Sequence, residues 1–306
     1  MQIPVNVFTG YLGSGKTTII LNLLKNLPKG YKVAVLKNEF GNKEIDSQLY
    51  KSKNIDVMEM VNGCLCCVLV GKLNNAIHDI IKDYNPDRLI IETSGTAYPA
   101  AIVWELDKCK NILSLDSVIT VIDSLNFNGY IDTGYSAKIQ AQYCDLILIN
   151  KSELVNEIDL EKVLDGVYEL NSETPKVKTL KGYVSPDIVF GIEKYIIHND
   201  LKNIKINTLH HHADVQILEI ETKNNIAIKD IAIFLNSLPK WDFYRIKGIY
   251  NGSFLNYVFG KYTFTKIKGL KEKGLRISIF GKNFSYHRKK ILEKLKLKDE
   301  EIVLFD

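Results

Sequence analysis

No run of apolar residues in this chain of 306 approaches the roughly 18–20 that a membrane-spanning helix requires. The N-terminus lacks the charged, apolar, then small order of a secretory signal, and motif-bearing sequence starts by Gly10. Both absences lead to the expectation of a cytoplasmic protein with no membrane partner. Cysteine is scarce and oddly placed, with five residues in all and three of them at positions 64, 66 and 67. A secreted disulfide framework is not laid out in that way, so metal or thiol chemistry comes forward instead. There is no internal repeat and no low-complexity tract beyond His210, His211 and His212.

Charge bias is also weak, since 40 Lys and Arg against 36 Asp and Glu leave a net of +4. That balance does not argue for nucleic acid. It is uneven, however: residues 1–213 hold 22 basic against 25 acidic side chains, and residues 214–306 hold 18 against 11, giving −3 and +7. A basic final third attracts acidic partners. Solvated lysines are the simpler explanation, and the interleaved aromatic and basic signature of RNA binding is missing. With 46% hydrophobic and 25% charged residues, the chain has the material for a sizeable core.

What is present reads first as an α/β alternation. Ile3–Phe8, Val33–Leu36, Ile55–Met60, Arg88–Ile91, Val118–Ile122 and Leu146–Ile149 are short apolar strands. Thr18–Leu27, Lys72–Tyr84 and a stretch around Tyr135–Gln142 have helical spacing between them. Strands apolar on both faces and separated by helices imply a mostly parallel sheet covered by helices on both faces. Beyond a polar stretch with three histidines, Val215–Glu221, Phe243–Tyr250, Tyr257–Lys266 and Leu275–Phe280 read as strands, and Ile228–Leu238 and Tyr286–Leu297 as helices. The expected architecture is a P-loop NTPase domain over residues 1–200, a linker over 201–213 and a smaller α+β domain over 214–306.

Gly10-Tyr11-Leu12-Gly13-Ser14-Gly15-Lys16-Thr17 fits the G-x-x-x-x-G-K-S/T phosphate loop at every fixed position, between a strand and a helix. Glycines let backbone N–H groups converge on phosphate oxygens, and a helix N-terminus adds positive potential there. Gly10, Gly13, Ser14, Gly15 and Thr18 are therefore expected to bind nucleotide. Lys16 is expected to reach the β- and γ-phosphates, and Thr17 to give its hydroxyl to Mg2+. The second lysine that some P-loop ATPases carry early in the loop is absent, since Tyr11 and Leu12 stand there.

Arg88–Ile91 runs into Glu92-Thr93-Ser94-Gly95. An acid at the C-terminal end of a buried strand suits a carboxylate linked to Mg2+, and Gly95 can offer a backbone N–H to the γ-phosphate. Leu146–Ile149 leads into Asn150-Lys151-Ser152-Glu153, which resembles the guanine-reading N-K-x-D box with Glu153 in place of Asp. Glutamate accepts the same two hydrogen bonds, although its extra methylene must be accommodated. Asn62-Gly63-Cys64-Leu65-Cys66-Cys67 lies between these nucleotide motifs. Cys64, Cys66 and Cys67 are candidate thiolate ligands for Zn2+, with Co2+ or Fe2+ as alternatives, and three ligands leave one tetrahedral position open for a metal that must be released. A redox dithiol is the competing reading. Cys109 and Cys144 are expected to be packing residues, His78, His198 and His287 surface residues, and Arg245 and Lys247 solvated charge.

The phosphate loop, Asn38-Glu39-Phe40-Gly41, Gly63-Cys64-Leu65-Cys66-Cys67, Glu92-Thr93-Ser94-Gly95 and Asn150-Lys151-Ser152-Glu153 occur together in this order. The combination resembles the CobW-like metallochaperone GTPases, also called the zinc-regulated GTPase metalloprotein activator family. The resemblance implies a GTPase using GTP and Mg2+ that binds Zn2+ or a similar ion through the three cysteines and delivers it to a client metalloprotein. A homodimer is a second option for a partner. Asn38 to Gly41 would belong to a first switch. Relatives often carry an acid where this chain has Asn42, and some carry one where it has Lys37, which bears on the fourth metal ligand. The rival readings are a P-loop small-molecule kinase, for which no arginine-rich lid is seen, a basic RNA-linked GTPase, and a GTPase with a thiol-redox switch.

Overall fold

The computed structural model describes residues 2–28, 30–37, 56–59, 70–95, 97, 99–127, 140–190, 216–258, 260–266 and 273–305. They divide into two compact units, Met1–Ser172 with Lys176–Val184, and Glu173–Pro175 with Ser185–Asp306. The expected linker over residues 201–213 lies outside the described residues, as do Asn38 to Gly41, Cys64, Cys66, Cys67, His198 and the three consecutive histidines. No helix among the described residues is long and apolar enough to cross a membrane.

The first unit is built on a sheet whose described strands are β1 (Ile3–Thr9), β2 (Val33–Lys37), β3 (Asp56–Glu59), β4 (Arg88–Glu92), β5 (Leu113–Asp123), β6 (Leu146–Asn150) and β7 (Lys176–Lys178). Their order is β3-β2-β4-β1-β5-β6-β7, and all the pairings are parallel. Every residue of β2, β4 and β6 is buried, as continuous apolar runs require when both sheet faces are covered. Helices α2 (Val70–Tyr84) and α3 (Pro99–Lys108) bury Leu73, Ile77, Ile80, Ile102 and Leu106 against Val5, Val7, Leu36, Leu89 and Ile91. On the same face α4 (Glu157–Leu170) packs Val163 and Val167 on Ile122, Ile147 and Ile149. Helix α1 (Lys16–Lys25) follows β1 and buries Ile19, Ile20, Leu21 and Leu23. Strand β1 lies between β4 and β5, so the connections after it run first to one side and then to the other, the topology in which ligands bind at the C-terminal strand ends.

Strand β5 starts at Leu113, five residues before the apolar run that marks it in the sequence. Its first half contains Asp116 and Ser117, which look like loop residues but are buried partners. Arg88 Nη1 donates to Asp116 Oδ2 at 2.8 Å and to Asn6 Oδ1, its Nε donates to Tyr31 Oη at 3.2 Å, and Asn6 Nδ2 donates to Ser117 Oγ at 2.7 Å. Burial alone would lower the pKa of this guanidinium, and Asp116 with Tyr31 more than offsets that. Cys109 is buried in the core with Sγ 3.2 Å from Asn74 Oδ1, and burial, reinforced by Glu105, pushes its thiol up, as suits a packing residue.

The second unit contains an antiparallel sheet of β8 (Gln216–Thr222), β9 (Phe243–Tyr250), β10 (Ser253–Val258), β11 (Lys261–Lys266), β12 (Leu275–Gly281) and β13 (Ile302–Phe305), in the order β11-β10-β9-β12-β8-β13. It also holds α5 (Pro186–Val189), α6 (Ile228–Asn236) and α7 (Phe284–Leu295), the last two packed on Ile246, Leu255, Ile277 and Ile279. Three expectations are corrected here. Tyr257–Lys266 is not one strand; Val258 and Lys261 face each other across a reversal at Gly260, whose φ of +94° suits glycine. Arg245 is fully buried rather than solvated, donating from Nη1 to the Val189 carbonyl at 2.8 Å, while Lys247 pairs with Asp187. His287 is buried rather than at the surface, its Nε2 2.7 Å from Asp242 Oδ2.

Candidate functional site

The phosphate loop joins β1 to α1 at the C-terminal edge of the parallel sheet. Gly15 caps α1 with φ +96° and ψ +20°, and a Cβ at this position would lie 2.2 Å from Asn150 Nδ2. Only glycine meets both demands, which is why the loop can close on the end of β6. Lys16 is 4% exposed and folds back over its own loop, with Nζ donating to the carbonyls of Gly10 at 2.8 Å and Tyr11 at 3.2 Å. Gly13 is exposed at the loop tip, Ser14 is buried, and Thr18 is exposed in the first turn of α1.

Thr17 Oγ1 donates to Glu92 Oε1 at 2.5 Å, across 75 positions of sequence. Glu92 is buried at the end of β4, in register with Phe8 on β1 and Lys37 on β2. A hydroxyl and a carboxylate meeting at a helix N-terminus form a set of hard oxygen donors, which fits Mg2+ rather than a soft ion. Four buried hydroxyl oxygens near these strand ends, on Thr9, Ser14, Ser94 and Ser124, have no hydrogen-bond partner among the described residues. Buried polar atoms left unpaired are uncommon and mark a place where a polar ligand is accommodated. Gly95 lies so close to the loop that a Cβ on it would come within 2.6 Å of the Leu12 nitrogen.

Asn150 and Lys151 arrive from β6. Asn150 Nδ2 donates to the Ser14 carbonyl at 2.7 Å, and its Oδ1 accepts from Thr179 Oγ1 at 2.6 Å. This amide therefore ties the phosphate loop to β6 and to the end of β7. Lys151, with φ +61°, pairs its Nζ with Asp123 Oδ2 at 2.6 Å. Glu153 is exposed in a short 3-10 turn, Ser152–Leu154. Lys16, Thr17, Glu92, Gly95, Asn150 and Lys151 are thus brought to one edge of the sheet from three separate motifs.

Three residues of this site are not singled out by the sequence. Asp123 ends β5 as Glu92 ends β4, so an acid closing an apolar strand was its available signal. Gln140 is buried and donates from Nε2 to the carbonyls of Gly95 at 3.0 Å and Ala97 at 3.1 Å, fixing the loop after β4. Thr179 is fully buried and also accepts from Ser152 Oγ at its carbonyl, at 2.8 Å. Neither of these two carries a local motif. No cluster of His, Cys, Asp and Glu suited to a metal ion occurs among the described residues.

The chain is similar to several known proteins. The zinc chaperone YjiA of Escherichia coli (strain K12) is 30% identical over 212 residues, covering 66% of this chain and 65% of that protein. The zinc chaperone CobW of Sinorhizobium sp is 29% identical over 225 residues, 62% of this chain and 63% of that protein. The zinc-regulated GTPase metalloprotein activator 1 of Schizosaccharomyces pombe is 30% identical over 197 residues, 59% of this chain and 46% of its own length. The matched stretch spans less than two thirds of each relative. The CobW/HypB/UreG nucleotide-binding domain matches residues 4–178, more than half of the sequence, and the chain belongs to that family.

Proposed function

We propose that the chain is a GTP-hydrolysing metallochaperone that holds Zn2+, or a similar transition metal, through Cys64, Cys66 and Cys67. It would pass the ion to a client metalloprotein in the cytoplasm under nucleotide control. The observation that carries the nucleotide half is the hydrogen bond from Thr17 to Glu92 beside a phosphate loop that Asn150 holds closed. The metal half is supported by the cysteine motif and by the relatives named as zinc chaperones.

Phosphoryl transfer depends on positioning and charge neutralisation more than on covalent chemistry. Lys16 exchanges two backbone carbonyls for phosphate oxygens, which brings a buried ammonium to the developing charge. Thr17 and Glu92 are the residues that would hold Mg2+, and when bound this ion supplies positive charge at the triphosphate. The Gly95 N–H faces the terminal phosphate in this reading, on a loop that Gln140 keeps in place. Asn150, Lys151 and Glu153 select the base.

The test is phosphate release from GTP and from ATP, together with elemental analysis of anaerobically purified protein. We expect hydrolysis of GTP in preference to ATP and one bound transition metal that Cys66→Ser loses. Metal content unchanged by Cys66→Ser would remove the cysteine site, and equal use of GTP and ATP would remove guanine selection.

A further inference from the structure

Lys151 and Glu153 are two positions apart, and a lysine left to pair with Glu153 would occupy the acceptor that guanine needs. The chain avoids this. Lys151 sits in the left-handed region and its Nζ lies 2.6 Å from Asp123 Oδ2, with side-chain exposures of 27% and 4%. The Asp123 carboxylate is itself fixed, accepting from the Leu125 N–H at 3.1 Å and from Asn126 Nδ2 at 2.9 Å. It stands directly across from Asn150 in the register of β5 and β6. Glu153 is exposed and makes no hydrogen bond or ion pair among the described residues. No step of nucleotide hydrolysis as derived above uses Asp123.

We propose that Asp123 is a positioning residue for purine selection, acting through Lys151. This rests on the reading of Asn150-Lys151-Ser152-Glu153 as the base-binding box. A buried carboxylate is little screened by water, so it outcompetes exposed Glu153 for the lysine. Two consequences follow. The Lys151 methylenes are tethered at both ends and offer a fixed apolar surface to a ring. Glu153 keeps both oxygens available for the N1 and N2 donors of guanine, whereas adenine presents an acceptor at N1 and has no amino group at C2.

The experiment measures binding of fluorescent GDP and ADP to the full chain at constant Mg2+. Asp123→Asn retains an acceptor for Leu125 and is expected to lower the GDP to ADP affinity ratio roughly tenfold. Lys151→Met keeps an unbranched stem without the charge and is expected to lower the ratio similarly, with Asp123→Asn adding nothing in that background. Lys151→Arg preserves the pair and the ratio. Should Asp123→Asn not fold, Lys151→Met decides, because a stem acting without its tether would leave the ratio unchanged and overturn the proposal. A further loss from Asp123→Asn in the Lys151→Met background would overturn it too. If the wild-type chain binds GDP and ADP equally, the base-binding reading falls and takes the proposal with it. If it discriminates but both variants keep the wild-type ratio, only the proposal falls.

Discussion

Lys16 and Glu92 are charged residues that the fold removes from water, and each is held by groups that nucleotide binding would replace or share. Removing the Lys16 ammonium should therefore cost catalysis far more than stability, since its hydrogen bonds to Gly10 and Tyr11 go to carbonyls of its own loop rather than to the core. Lys16→Ala is expected to lower kcat/KM for GTP by about 10²–10³ in phosphate-release assays. Glu92→Gln preserves an acceptor for Thr17 but removes the charge that favours a divalent cation. It is expected to raise the Mg2+ concentration for half-maximal hydrolysis roughly tenfold, read by Mg2+ titration at saturating GTP. Gly15 is constrained differently, by φ +96° and by the nearness of Asn150. Gly15→Ala is expected to destabilise the chain by about 1–3 kcal/mol in urea unfolding and to weaken GDP binding.

Strands and helices are held in register by polar pairs as well as by apolar faces. Arg88 at the start of β4 reaches Asn6 on β1 and Asp116 on β5, so one guanidinium spans three neighbouring strands opposite the end that carries the phosphate loop. Deleting one member of such a pair leaves an uncompensated buried charge, which costs more than the pair is worth. Arg88→Met is expected to lose about 3–5 kcal/mol in urea denaturation, and adding Asp116→Asn should return part of that loss. In the second unit Asp242 serves an equivalent purpose, accepting from Asn283 Nδ2 at 3.0 Å and facing His287 on α7.

For the whole molecule, the proposed nucleotide control of a thiolate metal site is a statement of thermodynamic linkage. Any factor by which GTP alters Zn2+ affinity must equal the factor by which Zn2+ alters GTP affinity. With a non-hydrolysable GTP analogue in place of GDP, Zn2+ affinity is expected to rise by about 5–150-fold in competition with a chromophoric chelator. Nucleotide titrations with and without Zn2+ should give the same factor. Identical metal affinity in both nucleotide states would show a metal site that the nucleotide does not control.

The order of motifs along the chain was sufficient to read an α/β architecture followed by a smaller α+β part, and to single out the glycine-rich loop, Glu92 at its strand end and the Asn150-Lys151 box as the candidate site. Those features are local, because a glycine-rich turn, an apolar run and an acid after it carry their meaning within a few residues. The reading stopped where meaning depended on a distant partner. Asp116 and Ser117 look like loop until Arg88 and Asn6 reach them, so β5 was read short. Arg245 and His287 look solvated until Val189 and Asp242 cover them from 56 and 45 positions away. Asp123 and Thr179 belong to the site only because β5, β6 and β7 end side by side. A short window of sequence registers a charged side chain as one that prefers water. Tertiary structure alone brings the opposite charge or carbonyl that makes its burial favourable.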